Sequence, residues 1–410
     1  MAHSDIPDTA IEKVARFINQ RHNKNYGIPV VGNQDNFETP QIFEIVPFDK
    51  IDGTKRKFYA VDGSYNSEQF YNGLSIGMYT AGYICYCEGS QLRLNDLDDP
   101  VILGKAYFPQ NILVANESDL EAIYDELLTL PPVTKFLSFL DLPLDEVFAY
   151  IKAQVCVNLS TLLGFCQEVL EYSLVYEIAE LPNIEPGDFI LRDGTLRSLQ
   201  IRQKALVRLG KHLYEKGIVI VAITKQSPIK MELAYTFKQI DSYLQDRLKP
   251  RYLFNEKDPK RQKLCCWFEV PESVLHASYS GDMFARKNIR GGRGFGLFTA
   301  ARLDYVEKLQ NYDWLIVDVN IYDAIPQIED GVFSRDGLRL QEIFLELTRL
   351  TQEHYILGYP YPLAEVHNFV TLRRDFKDVI ISRVKYSLYK DQLMDNVDIE
   401  NLFLDMHDRF

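Results

Sequence analysis

Cysteine is scarce in this chain, with six residues among 410. That density is too low for a disulfide-stabilised scaffold. The two close pairs, Cys85 with Cys87 and Cys265 with Cys266, lack the spacing of a zinc half-site. We therefore expect reduced thiols and no thiolate metal centre.

The chain also lacks long apolar runs, internal repeats, low-complexity tracts and proline- or serine-rich linkers. No window approaches the roughly 18 uncharged apolar residues of a membrane span. The opening residues, MAHSDIPDTAIEKVARF, carry charges where a signal peptide needs its apolar run. We expect a soluble, cytoplasmic protein folded as one elaborated domain over residues 1–410.

Basic residues are outnumbered by acidic ones. The balance is 45 − 58 = −13, which at long range repels phosphate backbones and excludes non-specific coating of nucleic acid. It leaves open a nucleic-acid enzyme whose bound metal ions or basic groove reverse the field at one site. Hydrophobic residues make up 46% of the chain, enough for a large core, and this excludes global disorder.

Early segments have the composition of β-strands. KFYAVDGSYN (57–66) is a short apolar strand expected to end at Asp62 and to turn on Gly63. Residues 73–88 suit one long strand or a hairpin, and residues 101–108 add another. The chain is therefore expected to open with antiparallel pairing.

The middle of the chain alternates helix and strand, and its continuous apolar run at 217–223 is typical of a strand covered on both faces. A strand–helix–strand crossover after an antiparallel opening predicts an α/β fold with a mixed sheet and helices packed on it. The expected elements are helices at about 157–180, 196–216, 337–354 and 363–390, and strands at 188–194, 217–223 and 313–322.

Two aspartates share one local setting. Asp62 in FYAVDGS and Asp193 in FILRDGT each follow an apolar strand and precede a glycine. If the two strands are parallel neighbours, both carboxylates emerge at one edge of the sheet and repel each other. A divalent cation with oxygen ligands, Mg²⁺ or Mn²⁺, relieves that repulsion. The alternative is that each Asp-Gly is simply a turn.

A third carboxylate is expected from the helix before Asp193. The strand 188–193 spans roughly 17 Å, which corresponds to about 11 helical residues counted back from Glu180. Glu171, on the apolar face of the helix, is the first choice, with Glu168 and Glu177 as alternatives. The alternative is that the glutamate on this helix is a solvated surface residue and not a metal ligand.

Four short motifs occur in order along the chain: AVDGS (60–64), LRDGTL (191–196), VAITKQSP (221–228) and YPYPLAEVHNF (359–369). Together they resemble the NurA nuclease family over roughly residues 25–385. The resemblance implies a ribonuclease-H-like core over about 56–108 and 157–225, a C-terminal site helix over about 363–390, and helical and irregular insertions at 110–155 and 247–300.

The resemblance implies a Mn²⁺- or Mg²⁺-dependent deoxyribonuclease with two ions that acts on single-stranded DNA or resects duplex ends. It assigns Asp62 as the first ligand, Asp193 as the second strand-borne ligand, Glu171 as the helix carboxylate and His367 as the C-terminal ligand, although Glu-Val precedes His367 where the family has a small residue. An imidazole ligand favours manganese over magnesium. Lys225 resembles the lysine that follows the core strand. The run 359–362 is expected to be a rigid extended entry to the His367 helix. Its tyrosines are expected to pack, and stacking on bases is the alternative.

The resemblance also implies partners: DNA, a second copy of the chain, and a hexameric HerA-type ATPase that feeds DNA to the dimer, in end resection during repair or in defence against phage. Basic candidates for phosphate contacts are Arg251, in a stretch (247–263) of net charge 7 − 2 = +5, and Arg290 and Arg293 in RKNIRGGRGFG. A non-catalytic nuclease-like scaffold is the alternative. A phosphatase is excluded, because neither aspartate has a DxDx[TV] signature.

Overall fold

The computed structural model describes residues 40–45, 56–69, 75–87, 90–91, 105–107, 113–114, 117–224, 233, 237, 265–270, 297–303, 314–320, 333–352, 358–372 and 374–390.

Strands of the described residues form one mixed sheet in the order β1-β9-β10-β11-β8-β7-β2-β3-β4, with β5 and β6 also paired to β3. Their bounds are β1 Phe43–Glu44, β2 Lys57–Gln69, β3 Ser75–Cys87, β4 Ser90–Gln91, β5 Lys105–Tyr107, β6 Leu113–Val114, β7 Phe189–Asp193, β8 Val219–Thr224, β9 Cys266–Glu269, β10 Leu297–Arg302 and β11 Trp314–Val319.

Helices pack on both faces of this sheet. Their bounds are α1 Glu117–Thr129, α2 Pro131–Leu140, α3 Leu144–Val147, α4 Lys152–Val155, α5 Leu159–Ala179, α6 Gln203–Glu215, α7 Phe333–Gln352, α8 Tyr361–Val370 and α9 Arg374–Lys390. Within the described residues, no helix is both long and apolar enough to cross a lipid bilayer.

The centre of the sheet has the ribonuclease-H-like arrangement. β2 pairs antiparallel with β3 on one side and parallel with β7 on the other, and β7 pairs parallel with β8. The connection from β3 to β7 passes through α5, and the connection from β7 to β8 through α6. The predicted α/β fold with a mixed sheet and a ribonuclease-H-like core is confirmed.

Two apolar layers fix the helices to the sheet. On one face, the inward residues of α5 and α6 pack against alternate residues of β2, β3 and β7, including Tyr59, Val61 and Ile190. On the other face, α7 and α8 cover the opposite set, including Ala60 and Leu191. Because side chains alternate along a strand, neighbouring residues of β2 and β7 face different helix layers.

The segment 247–300 was expected to be an insertion, and its described parts extend the sheet. β9 and β10 pair antiparallel, β10 pairs with β11, and β11 joins the core at β8. The predicted strand at 313–322 is confirmed as β11. The helical part of the other expected insertion, α1 to α4, packs over α5 and α6.

The helix expected over 196–216 begins later, at Gln203. Residues before it form a loop that pairs with the segment after α3: Ala149 N donates to Gln200 O, and Arg202 N donates to Val147 O, each at 2.7 Å. The Ser198 hydroxyl accepts from the amides of the two residues before Arg202. Because this pairing joins segments that are distant in sequence, the local sequence does not predict it. The pairing makes the helix begin at Gln203 and not at 196.

The helix expected over 363–390 is two helices. Thr371 N still donates to His367 O at 2.9 Å, but Thr371 is extended and ends α8. Leu372 N instead donates to Ser64 Oγ of β2 at 3.1 Å. The Ser64 side chain thus accepts the hydrogen bond that the Leu372 amide would have donated to a backbone carbonyl in a continuing helix. This contact holds the end of α8 against β2.

Candidate metal centre

Asp62 lies within a strand and does not close it, contrary to the sequence expectation. β2 pairs with β3 residue by residue from Lys57 to Gln69, so antiparallel pairing carries the chain straight through Gly63. The pairing with β7 does end here, with Val61 opposite Arg192. Asp62 is buried, and one of its carboxylate oxygens accepts from Gly63 N at 2.8 Å.

Asp193 closes β7 as expected. The next residue, Gly194, has φ of +116°, a conformation that favours glycine and lets the chain turn away. Its amide donates to Ile223 O of β8 at 3.1 Å, which anchors the turn. Since β7 runs parallel to β2, Asp193 emerges beside Asp62.

His367 on α8 completes a cluster with these two aspartates. Its Nδ1 lies 2.8 Å from Oδ2 of Asp62, and its side chain is about half exposed. One ligand atom from each of Asp62, Asp193 and His367 lies within 4.8 Å of the others. Three residues from distant parts of the chain thus face one point.

Tyr359, just before α8, adjoins the cluster. Its phenol is buried, and burial together with the adjoining carboxylates of Asp193 and Asp62 raises its pKa well above the usual range. Sequence reasoning treated this tyrosine as a packing residue in a rigid entry segment. The YPYP run was the visible signal, but its contact with the acidic pair depends on the fold.

Glu171 is buried on α5 and is bound by an arginine that the sequence reasoning did not single out. Its Oε2 lies 2.5 Å from Nη2 of Arg192, and its Oε1 accepts from Gln167 Nε2 at 2.8 Å. Burial raises the pKa of Glu171 to about 7, although Arg192 opposes the shift. The structure does not bring Glu171 into the three-residue cluster, and its role as a metal ligand stays a prediction.

Gly63 explains how the Glu171 carboxylate comes close to the strand. A methyl group at Gly63 would lie 2.6 Å from Glu171 Oε1 and 2.6 Å from Gln167 Cγ. Such a separation is far inside van der Waals contact, so glycine is needed here for close approach rather than for a turn. The nearby carboxylate of Asp62 adds to the rise in the pKa of Glu171.

Arg192 links α5 to the turn after Asp193. Its guanidinium donates to Thr195 O and stacks over the Tyr172 ring at 4.6 Å, while the Tyr172 hydroxyl donates to the same Thr195 O at 3.2 Å. Burial lowers the pKa of Arg192, but Glu171, Tyr172 and Glu168 together outweigh that effect and raise the pKa above its usual range. The guanidinium is therefore a permanent buried cation behind the acidic cluster.

The donor set of the cluster suits a divalent cation. Two carboxylates and an imidazole supply oxygen and nitrogen ligands, a combination that fits Mn²⁺ and is less typical of Mg²⁺, which prefers oxygen alone. Asp62 and Asp193 lie side by side, so that two carboxylate oxygens and one imidazole nitrogen face the same point. The residues present therefore fit a bound metal ion.

The remaining sequence predictions concern four basic substrate contacts and two alternative glutamates. Lys225, Arg251, Arg290 and Arg293 lie outside the described residues. Burial raises the pKa of Glu168, which hydrogen-bonds to Ser198. Glu177 is buried farther along α5. Neither alternative glutamate joins the cluster in the described structure.

No protein-family model matches the sequence, and no curated protein matches it. Among solved structures, the chain is similar to the NurA nuclease from Sulfolobus solfataricus, with 15% identity, a TM-score of 0.43, and coverage of 93% of this chain and 98% of that one. It is also similar to Ciona intestinalis endonuclease V in complex with a 24mer DNA containing an inosine, with 10% identity, a TM-score of 0.29, and coverage of 90% and 99%.

A NurA structure with manganese shows 14% identity, a TM-score of 0.19, and coverage of 67% of this chain and 52% of that one. Solved NurA nucleases are thus among the similar structures, as the motifs predict, while membership of that family stays a prediction. Because each TM-score is below 0.5, the activity of this site has to be inferred from its own geometry.

Proposed function

We propose that the protein is a metal-dependent deoxyribonuclease that hydrolyses phosphodiester bonds at the cluster of Asp62, Asp193 and His367. The observation that supports this most is the convergence of two carboxylates and one imidazole, from two strands and a C-terminal helix, within 4.8 Å. Those residue types at the rim of a ribonuclease-H-like sheet suit divalent-metal phosphodiester chemistry.

In this proposal, Asp62 and Asp193 hold the metal through carboxylate oxygens and His367 through a ring nitrogen. When bound, a pair of divalent ions would make a water molecule nucleophilic and stabilise the leaving oxygen. Asp62, which adjoins both other members of the cluster, would be a ligand of the bound metal, and Glu171 would supply a further carboxylate from the α5 side. His367 makes Mn²⁺ the preferred ion.

Cleavage of end-labelled DNA by the purified protein tests the function. We expect products with Mn²⁺, slower cleavage with Mg²⁺, and none with EDTA, because two adjacent carboxylates cannot approach a phosphate without a cation between them. The size and label of the products then report endonuclease or exonuclease action. Metal titration followed by thermal denaturation is the control, since an ion bound to the folded state raises the melting temperature.

Failure of cleavage with every divalent ion, despite a metal-induced rise in melting temperature, would favour the alternative of a non-catalytic nuclease-like scaffold. If divalent ions neither supported cleavage nor raised the melting temperature, the assignment of a metal site to this cluster would be wrong.

The proposal extends to partners that the motif resemblance implies. We assign the protein to the cytoplasm as a homodimer that receives DNA from a hexameric HerA-type ATPase, in end resection or in phage defence. The net charge of −13 supports such a partner. An acidic surface attracts DNA poorly, so the ATPase would supply the affinity for DNA.

A gel-shift titration tests whether the affinity for DNA comes from the ATPase. The isolated protein should bind long duplex DNA weakly at physiological salt, and addition of the ATPase should increase retention of the DNA. Tight binding of duplex DNA by the protein alone at that salt would contradict the proposal that the ATPase supplies the affinity. It would leave the proposed metal centre unaffected.

A further inference from the structure

A buried carboxylate outside the metal cluster binds the turn that follows Asp193. Asp318 lies on β11, and its Oδ2 accepts from Leu196 N at 3.1 Å. Leu196 is buried and lies three residues after Asp193. A buried amide needs an acceptor, and here the acceptor is a side chain from a strand 122 positions away in sequence. A three-residue segment therefore joins the metal ligand to the residue that Asp318 binds.

Arg197, the next residue along the chain, balances the charge of Asp318. Its Nε lies 3.5 Å from Oδ1 of Asp318, and each of the two side chains is 1% exposed. The guanidinium also lies over the ring of Phe298, 5.0 Å from the ring centroid, and Phe298 is paired with Asp318 across β10 and β11. Burial raises the pKa of Asp318 to about 6, while Arg197 and the Leu196 amide oppose that rise. These two partners offset the cost of burying the carboxylate.

Side chains from other elements hold the rest of the segment. The Gly194 carbonyl accepts from the Thr224 hydroxyl of β8. The Thr195 carbonyl accepts from the Tyr172 hydroxyl of α5 at 3.2 Å. Together with the bond to Asp318, side chains thus bind the backbone of three consecutive residues after the metal ligand. These bonds fix the path of the chain as it leaves β7.

Asp318 does not face the metal cluster itself. Its neighbours Val317 and Val319 belong to the apolar layer under α7 and α8. Because side chains alternate along a strand, Asp318 faces the opposite layer, whereas His367 lies on α8. Asp318 can therefore act on the cluster only through the backbone that it binds.

We propose that Asp318 is a positioning residue for the metal centre. By binding Leu196 N, it fixes the turn that directs the Asp193 carboxylate into the cluster. This inference rests on the metal centre of the proposed nuclease and adds to it a residue from outside the ribonuclease-H-like core. It gives the outer strands β9, β10 and β11 a role at the site, because β11 carries Asp318 and joins the core at β8.

Mn²⁺ binding to the purified protein, measured by electron paramagnetic resonance without DNA, tests this role. Two double variants share Arg197→Met, which removes the buried cation, and differ only at position 318. Asp318→Asn keeps an acceptor for Leu196 N, whereas Asp318→Val removes the acceptor at similar volume. We expect a Kd for Mn²⁺ near that of the wild type with Asp318→Asn and about tenfold higher with Asp318→Val, the lower end of the effect seen for residues that support metal ligands.

Leu140→Ala is the control for loss of stability alone. Leu140 is fully buried on α2, and its truncation leaves a cavity that destabilises the fold without changing the turn. Below the unfolding temperature of every variant, this protein should bind Mn²⁺ as the wild type does. Asp318→Ala with Arg197→Met removes the acceptor without added methyl groups and replaces the Asp318→Val protein if that protein does not fold.

Wild-type Mn²⁺ affinity in the variants that lack the acceptor would overturn the role of Asp318, as would equal weakening by Asp318→Asn or by Leu140→Ala. A wild-type protein that binds no Mn²⁺ would overturn the metal centre and this role together. The expected order of Mn²⁺ affinities in a protein that cleaves no DNA would retain the role of Asp318 and reject the nuclease. Mn²⁺-dependent cleavage with equal affinities in all variants would retain the nuclease and reject the role of Asp318.

Discussion

Replacing Asp62 with alanine is expected to abolish Mn²⁺-dependent DNA cleavage while leaving the protein folded. Asp62 adjoins both other members of the cluster, so its loss removes a central ligand. A metal ion contributes several kcal/mol to stabilising a phosphoryl transition state. At 1.36 kcal/mol for each factor of ten, we expect a fall in rate of about a thousandfold or more.

The folded state should survive this change because two effects oppose each other. The variant loses the contacts of Asp62 with Gly63 N and His367, but it also removes one of two adjacent carboxylates whose repulsion no metal relieves in the apo protein. Rate measurements on end-labelled DNA and thermal denaturation, with Asp62→Asn as the shape-preserving variant, check both parts.

Asp125→Ala is the matched control for Asp62→Ala. Asp125 is an exposed acid on α1, paired with Lys152, and its removal changes the net charge equally. Cleavage should be retained in this variant. Equal cleavage by Asp62→Ala and wild type would refute the assignment of Asp62.

Breaking the buried pair between Arg192 and Glu171 should destabilise the protein more than any surface substitution. Arg192→Gln leaves a carboxylate buried without its cation, and Glu171→Gln leaves the guanidinium without its anion. Removal of one partner of a buried ion pair costs about 3–5 kcal/mol. We expect a loss of this size in the free energy of unfolding for each single variant, measured by urea denaturation.

The double variant Arg192→Gln with Glu171→Gln separates pairing from packing. Neither charge is then left alone, so its loss should be well below the sum of the two single losses. The exposed pair of Lys204 and Glu146 is the control, and its double replacement should change stability little. Additive losses at Arg192 and Glu171 would mean that the two residues stabilise the fold independently.

Much of the core could be predicted from the sequence because its signals are local. The apolar run before Gly194 and the one after Gly217 specify buried parallel strands, and parallel strands bring Asp62 and Asp193 to one edge. The helical rise indicated the stretch from Glu168 to Glu171, and the apolar face of the helix favoured Glu171 within it. Local pattern and regular geometry were sufficient for these features.

What could not be predicted depends on contacts between distant residues. The Asp-Gly pair predicts a turn in both motifs, yet the chain turns only at Gly194. At Gly63 the chain continues as a strand, because β3 pairs with β2 beyond this residue. An arginine in the buried strand FILRD was a visible anomaly, but its pairing with Glu171 requires the packing of α5. The late start of α6 follows in the same way from pairing with residues near Phe148.

The contact between His367 and Asp62 joins residues 305 positions apart. At translation rates of about 5–20 residues per second, the ribosome needs roughly 15–60 s to synthesise the stretch between them. The imidazole therefore reaches the aspartates only after nearly the whole sheet has been made. A nascent chain lacks a complete centre throughout that interval, so the order of synthesis itself delays the appearance of an active site.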